Sequence, residues 1–271
     1  MTQPAFTAAS DWEKLAADFS AWLPMLAPYG ERLIELANPQ SGDRVLDLAC
    51  GTGEPGITLA RARPDLCVVA MDQARGMAGA AAWVAKKEGL SNIRFAVTRG
   101  ENIAAGDGAF DRVICRFGVM LFDNPAAGMG EIARVVKPGG TVALTVWDRP
   151  EHVLCPALTL NVMERFAPVE WPRTFALSAP DRAAQLCERA GLSVTHESRH
   201  DPGFTFGDIG HFMAQNLTGR FIEKPLEAMT PATQTAFKQA LRQAALEYAR
   251  PDGTIHLPQR AIVLRAEKIA S

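Results

Sequence analysis

The stretch "VLDLACGTGEPG", residues 45–56, decides how this chain is read. Gly51, Gly53 and Gly56 spell G-x-G-x-x-G behind an apolar strand, and an acid, Asp72, follows 21 residues after the first glycine. That spacing is the fingerprint of a turn that sets a dinucleotide pyrophosphate on a helix N-terminus. Yet Asp47 lies inside the apolar strand, Glu54 stands at the helix start, and Pro55 removes a backbone donor there. A pyrophosphate needs N–H donors and a positive helix end, so all three residues work against it. A cationic ligand without phosphate is attracted by the same carboxylates, and the glycines then serve close backbone approach.

The turn opens a segment, residues 42–148, in which strands and helices alternate. Strands are expected at 44–49, 67–72, 93–100, 110–117 and 141–148. Helices are expected in "GEPGITLARAR" (53–63) with Pro55 near its first position, over 76–88 with Gly89 as the stop, and through "MGEIARVVKPGG" up to Pro138. Such alternation implies a parallel sheet covered on both faces. Two more strands are expected at about 192–199 and 260–268, with roughly sixty residues of helical pattern between them. The fold expected is a Rossmann-like, doubly wound seven-stranded sheet, five strands parallel and the final two an antiparallel pair. N-terminal helices (1–40) precede the core, and a helical cap (about 201–258) lies within the C-terminal part, 149–271. All 271 residues are read as one domain.

Net charge is −2 and no long basic run appears, which argues against a nucleic-acid surface. Five scattered cysteines without a C-x-x-C pair suggest neither zinc nor a disulfide framework and fit a reducing cytoplasm. No apolar run approaches the ~20 residues of a membrane span. The expected partner is a small-molecule acceptor, with a homodimer admitted and neither nucleic acid nor membrane involved.

On these electrostatics the cofactor expected is S-adenosyl-L-methionine (SAM), which carries a sulfonium and an ammonium and no phosphate. An NAD-dependent oxidoreductase is the rival reading, since Asp72 suits the ribose of either ligand. The segments "VLDLACGTG" (45–53), "VVAMDQARGM" (68–77), "FDRVICRFGVMLFDNP" (110–125) and "EIARVVKPGGTVALTVW" (131–147) resemble the class I SAM-dependent methyltransferases. The likeness is nearest to the branch containing the ubiquinone/menaquinone C-methyltransferases, and it runs through about residues 30–147. It implies that Asp47 holds the methionine ammonium, directly or through water. The backbone from Ala49 through Gly51 to Gly53 would line the amino-acid and ribose part, and Asp72 would take the ribose hydroxyls. Gln73 and Met77 would flank the adenine, and Gly100, Glu101 and Asn102 would meet its edge. Arg116 and Phe117 would close over the methionine and face the methyl group. In one departure, Arg99 stands where relatives carry the aspartate that reads the adenine amino group. A non-methylating, SAM-binding member of the fold is therefore a second rival.

Methyl transfer is an in-line displacement that needs alignment, water exclusion and, for weakly acidic acceptors, a base. His152, just past the fifth strand, is the candidate catalytic base, with His196 and His200 behind it. Cys50 reads as a small packing residue. Trp12, Trp22 and Tyr29 read as core positions of an amphipathic helix, one of which is open to a role at the site. Phe204, Phe206, His211, Phe212 and Met213 are either an acceptor wall or the core of the cap. Calorimetric titration of the protein should show micromolar binding of SAM and S-adenosylhomocysteine and none of NADH. Binding of NADH alone would mean that the literal glycine spacing outweighs the charges.

Overall fold

The computed structural model describes residues 19–218 and 220–269. Trp12 and most of the 1–40 segment's first half lie outside the described residues. A short 3-10 turn (Ser20–Trp22) leads into α1 (Leu23–Ala37). Then come β1 (Arg44–Leu48), α2 (Gly56–Ala62), β2 (Cys67–Asp72), α3 (Arg75–Lys87), β3 (Ile93–Val97) and β4 (Phe110–Arg116). α4 (Pro125–Val135) and β5 (Val136–Trp147) complete the alternating part. The C-terminal part holds α5 (Leu154–Met163), α6 (Arg182–Arg189), β6 (Leu192–His200), β7 (Phe204–Phe206), α7 (Ile209–Asn216), α8 (Arg220–Glu227), α9 (Pro231–Leu246), β8 (Ile255–Leu257) and β9 (Ala261–Lys268).

The main sheet has seven strands in the order β3-β2-β1-β4-β5-β9-β6. The first five are mutually parallel, and β9 runs antiparallel between β5 and β6. Strand order reverses between β1 and β4, the point where an open α/β sheet forms its ligand crevice. The central strands are apolar runs because helices cover both faces, and in β1 every residue but Arg44 is buried.

Two expectations need correction. α4 ends at Val135 instead of reaching Pro138, because Val136 already pairs with Phe110 of β4 and Pro138 has no N–H for a helix. The cap also contains strands: β7 and β8 form a separate antiparallel pair, Phe204 opposite Leu257 and Phe206 opposite Ile255. Three-residue strands are too short to show alternation in sequence. α5 also went unread. Its buried residues face several directions, among them Cys155, Ala157, Thr159 and Val162, so it lacks the polar stripe that marks a helix.

α1 is fastened to the far end of the chain by Tyr29, which is fully buried and whose hydroxyl donates to the Gln259 carbonyl just before β9. Tyr29→Phe should lower the unfolding free energy by about 1–2 kcal/mol in urea titration, because a buried carbonyl loses its donor. Unchanged stability would show that this bond does not fasten α1.

Candidate functional site

β1 ends in a tight turn whose backbone is unusual. Ala49 has a φ of +57°, and the matching residue past β4, Phe117, also has a φ of +57°. Left-handed non-glycine residues are uncommon and collect at functional sites. Gly53 has a φ of +104°, which other residues rarely adopt, and a Cβ there would displace Ile57, falling 2.4 Å from its Cδ1.

The first turn of α2 offers no free donor to a phosphate. Gly56 N–H donates to Asp47 Oδ2 at 2.8 Å, Ile57 N–H to the Gly53 carbonyl at 2.7 Å, and Thr58 N–H to Glu54 Oε2 at 3.1 Å. Both carboxylates that the sequence placed here are thus engaged with the very N–H groups a pyrophosphate would require.

Asp47 is fully buried, and its second oxygen, Oδ1, has no hydrogen-bond partner. Burial pushes its carboxyl up to about 7, against the opposing pull of Arg116 and the Gly56 N–H. Arg116 ends β4 and is itself buried, with Nη1 donating to the Leu26 carbonyl of α1 at 3.2 Å. Burial lowers the pKa of its guanidinium, and the nearby Asp47 opposes that shift. Asp72 ends β2; Oδ2 accepts the Gly51 N–H at 2.8 Å and Oδ1 the Ala74 N–H at 2.9 Å. Burial raises its pKa too, while those two N–H groups and that of Gln73 pull it back.

A cavity of about 390 Å³ opens over these strand ends. Of the residues singled out from sequence, Ala49, Gly51, Asp72, Gln73, Met77 and Gly100 line its one end, and Arg116 and Phe117 its middle. Asp47 and Gly53 lie beneath the wall and do not line it. Asn102 lines a neighbouring groove with Gln73 and Arg99. Glu101 faces away: Oε1 accepts the Asn124 N–H at 3.2 Å and Oε2 stands 3.7 Å from Arg99. Arg99 is likewise turned outward, paired with Asp123 and its side chain 56% exposed, and it does not line the cavity, whereas Thr98 and Gly100 do.

No histidine lines the cavity among the described residues. His152 sits on a 3-10 turn (Pro150–His152), held there by its backbone: its N–H donates to the Arg149 carbonyl and its carbonyl accepts the Arg260 N–H. The candidate base is therefore close to the site in sequence and set aside from it in space. His196 Nε2 meets Ser198 Oγ at 2.9 Å on the strand at the sheet's edge, and His200 packs edge-on to Tyr29. Cys50 is a buried residue of the turn that also lines the cavity. Trp22 and Phe204 line the cavity, whereas Tyr29, Phe206 and Phe212 are fully buried core. His211 starts α7, its Nδ1 accepting the Gly207 N–H, and Met213 packs against the core.

Several lining residues had no signal in the sequence. Trp147, ending β5, stacks on Phe117 with ring centroids 3.7 Å apart, and Thr159 and Gln215 reach the cavity from α5 and α7.

The raised Asp47 carboxyl has a sign that can be measured. The unfolded carboxyl titrates near ~3.9, so the native state holds one extra proton between that pH and about 7. Stability should therefore fall with rising pH across this window, by at most about 1.4 kcal/mol per pH unit from this group. Urea midpoints at several pH values for wild type and Asp47→Asn should differ by such a slope, and parallel profiles would remove Asp47 as its source.

A family model described as a methyltransferase domain matches residues 45–140. The chain is 29% identical over 146 residues to the aklanonic acid methyltransferase DauC of Streptomyces sp. strain C5, covering 54% of this chain and 64% of that protein, just under two thirds. It is 34% identical over 181 residues to the demethylmenaquinone methyltransferase of Thermus thermophilus, covering 61% of this chain and 81% of that protein. The crystal structure of the 4+2 cyclase SpnF superposes with a TM-score of 0.60 at 19% identity, covering 90% of this chain and 82% of that one. This last likeness carries the fold and no chemistry. A first helical turn whose N–H groups are already taken, a strand-end carboxylate at Asp72 and an unpartnered buried carboxylate oxygen at Asp47 fit a cationic nucleoside. With four fifths of a demethylmenaquinone methyltransferase matched at this identity, the chain belongs to the SAM-dependent methyltransferases.

Proposed function

We propose that this protein transfers a methyl group from SAM to a small-molecule acceptor held under the cap, releasing S-adenosylhomocysteine. The observation that carries the reading is the single cavity that runs from the Asp72 strand end, past Arg116 and Phe117, to apolar walls supplied by the cap. SAM supplies an activated methyl group, and the chain's own groups do the positioning. The Asp72 oxygens each hold one backbone N–H, and a carboxylate has further lone pairs free to accept ribose hydroxyls. Gln73, Met77 and Gly100 form the adenine end, with Glu101 and Asn102 bracing its edge. The Ala49–Gly53 backbone receives the methionine part. Asp47, behind that backbone, acts on the ammonium through water. Phe117 and its stacked partner Trp147 stand at the junction with the acceptor lobe, where they align the two reactants and keep water out.

Relatives named for aklanonic acid and demethylmenaquinone methylation support a metabolite acceptor. So does the lining itself, whose only charged side chains are Asp72 and Arg116 among the described residues. All five cysteines are free, which suits a reducing compartment such as the cytoplasm.

The test is turnover of SAM to S-adenosylhomocysteine with a broad set of small hydroxylated acceptors, joined to binding by variants. Asp72→Ala should weaken SAM by roughly 2–3 kcal/mol, since charge-assisted hydrogen bonds contribute about 1.5–3 each. Full affinity in a folded Asp72→Ala protein would take Asp72 out of the site. Glu54→Ala should not strengthen SAM binding, and a gain would overturn the electrostatic argument.

A further inference from the structure

Beyond the strand ends the cavity continues between α5, α7 and the turn after Pro172, and this half differs in character. Its walls are Trp147, Leu160, Pro172, Phe204 and Ile222, and no charged side chain enters it among the described residues. A charged ligand there would be stripped of water with no countercharge, a penalty of several kcal/mol.

Among the polar residues that interrupt this apolar wall, two carry unpaired atoms. Seven buried side-chain nitrogen or oxygen atoms among the described residues have no hydrogen-bond partner, and only two of them belong to residues lining the cavity. They are Thr159 Oγ1 on α5 and Gln215 Oε1 on α7, two helices that pack together. Thr159 is 1% exposed. Their polar neighbours are already satisfied: Cys155 Sγ donates to Asn216 Oδ1 at 3.4 Å, and Asn216 Nδ2 donates to the Phe212 carbonyl at 3.1 Å. Buried polar atoms are nearly always paired, so two unpaired ones on residues lining a single cavity mark where a ligand supplies the partners. The ligand reaches them by side-chain rotation, because neither atom has surface of its own on the cavity wall.

We infer that Thr159 and Gln215 are the acceptor-recognising pair of this enzyme, and that the acceptor is an uncharged, mainly apolar molecule bearing a hydrogen-bond donor and an acceptor oxygen. The donor meets the Gln215 amide oxygen, and the acceptor oxygen takes the Thr159 hydroxyl. That the ligand is then methylated rests on the function proposed above; the polarity of the lobe does not.

Three probes on one frame test this by calorimetry with the full chain, with and without S-adenosylhomocysteine. They are an acetylnaphthol with its two groups on separate rings, ethylnaphthalene without polar groups, and the hydroxynaphthoate in which a carboxylate replaces the acetyl group. The acetylnaphthol should bind about tenfold more tightly than ethylnaphthalene, and the hydroxynaphthoate should bind more weakly than either. Thr159→Val and Gln215→Leu should each remove most of that tenfold preference while leaving ethylnaphthalene and S-adenosylhomocysteine affinities unchanged. Thr159→Ser should restore it. The pair is overturned if the variants weaken both neutral probes alike or neither, or if the carboxylate probe binds best. Normal S-adenosylhomocysteine binding with no probe preference sinks the acceptor pair and leaves the methyl-donor reading standing. Probe preference without S-adenosylhomocysteine binding does the reverse.

Discussion

The hydrogen bond from the Gly56 N–H to the buried Asp47 carboxylate joins the end of β1 to the first turn of α2, and the site is built around it. Glycine at position 56 permits this approach, since a Cβ would fall 2.6 Å from Asp47 Oδ2 and push the carboxylate away. The bond uses the helix donor nearest the sheet, so the turn presents carboxylate where a dinucleotide turn presents N–H. Asp47 stands in the middle of the sheet, in register with Ala70 of β2 and Ile114 of β4, and its nearest countercharge is Arg116. Arg116 in turn holds the Leu26 carbonyl, which anchors α1 over the same charges. Buried charge pairs contribute little net stability, because desolvation offsets their attraction. Their effect here is to place a polar floor under an apolar cavity.

Above that floor an aromatic cluster connects four distant segments. Tyr29 of α1 lies 5.1 Å from the Phe117 ring and 5.3 Å from Trp147, both edge-on, and Phe204 of the cap packs against Tyr29 and Trp147. Large rings packed edge-to-face contribute beyond their burial alone. The N-terminal helix, two strand ends and the cap are thereby held in one geometry. For a reaction that depends on alignment and dryness, such rigidity is where binding energy is useful.

Much of the frame was readable along the chain. Parallel strands buried on both faces appear as short apolar runs, and glycine after α3, with a φ of +72° at Gly89, marks a helix end. The misreadings have physical causes. "VVKPGG" continues the helical pattern of α4, but pairing of Val136 with Phe110 takes the chain into β5. The FTF and IHL strands of the cap exist only because each is the other's partner. His152 follows β5 closely, and backbone bonds to Arg149 and Arg260 hold it on a turn that does not line the cavity.

The sequence by itself determined the turn and the strand ends: Asp47, Gly51, Gly53 and Asp72 occupy positions set by spacing along βα units, while Gln73, Arg116 and Phe117 are singled out through the family resemblance. It also determined the sign of the charge around the turn, which separates a cationic ligand from a pyrophosphate. Only the tertiary structure decided that Asp47 lies under the wall, that Arg99 turns outward, and that Trp147, Thr159 and Gln215 share one cavity. The reason is one of range. Turn and strand-end chemistry is written within a few residues, where backbone geometry fixes what faces what. Convergence of α5, α7 and β5 is a matter of core packing between segments far apart in the chain, and packing leaves no periodic mark in the sequence.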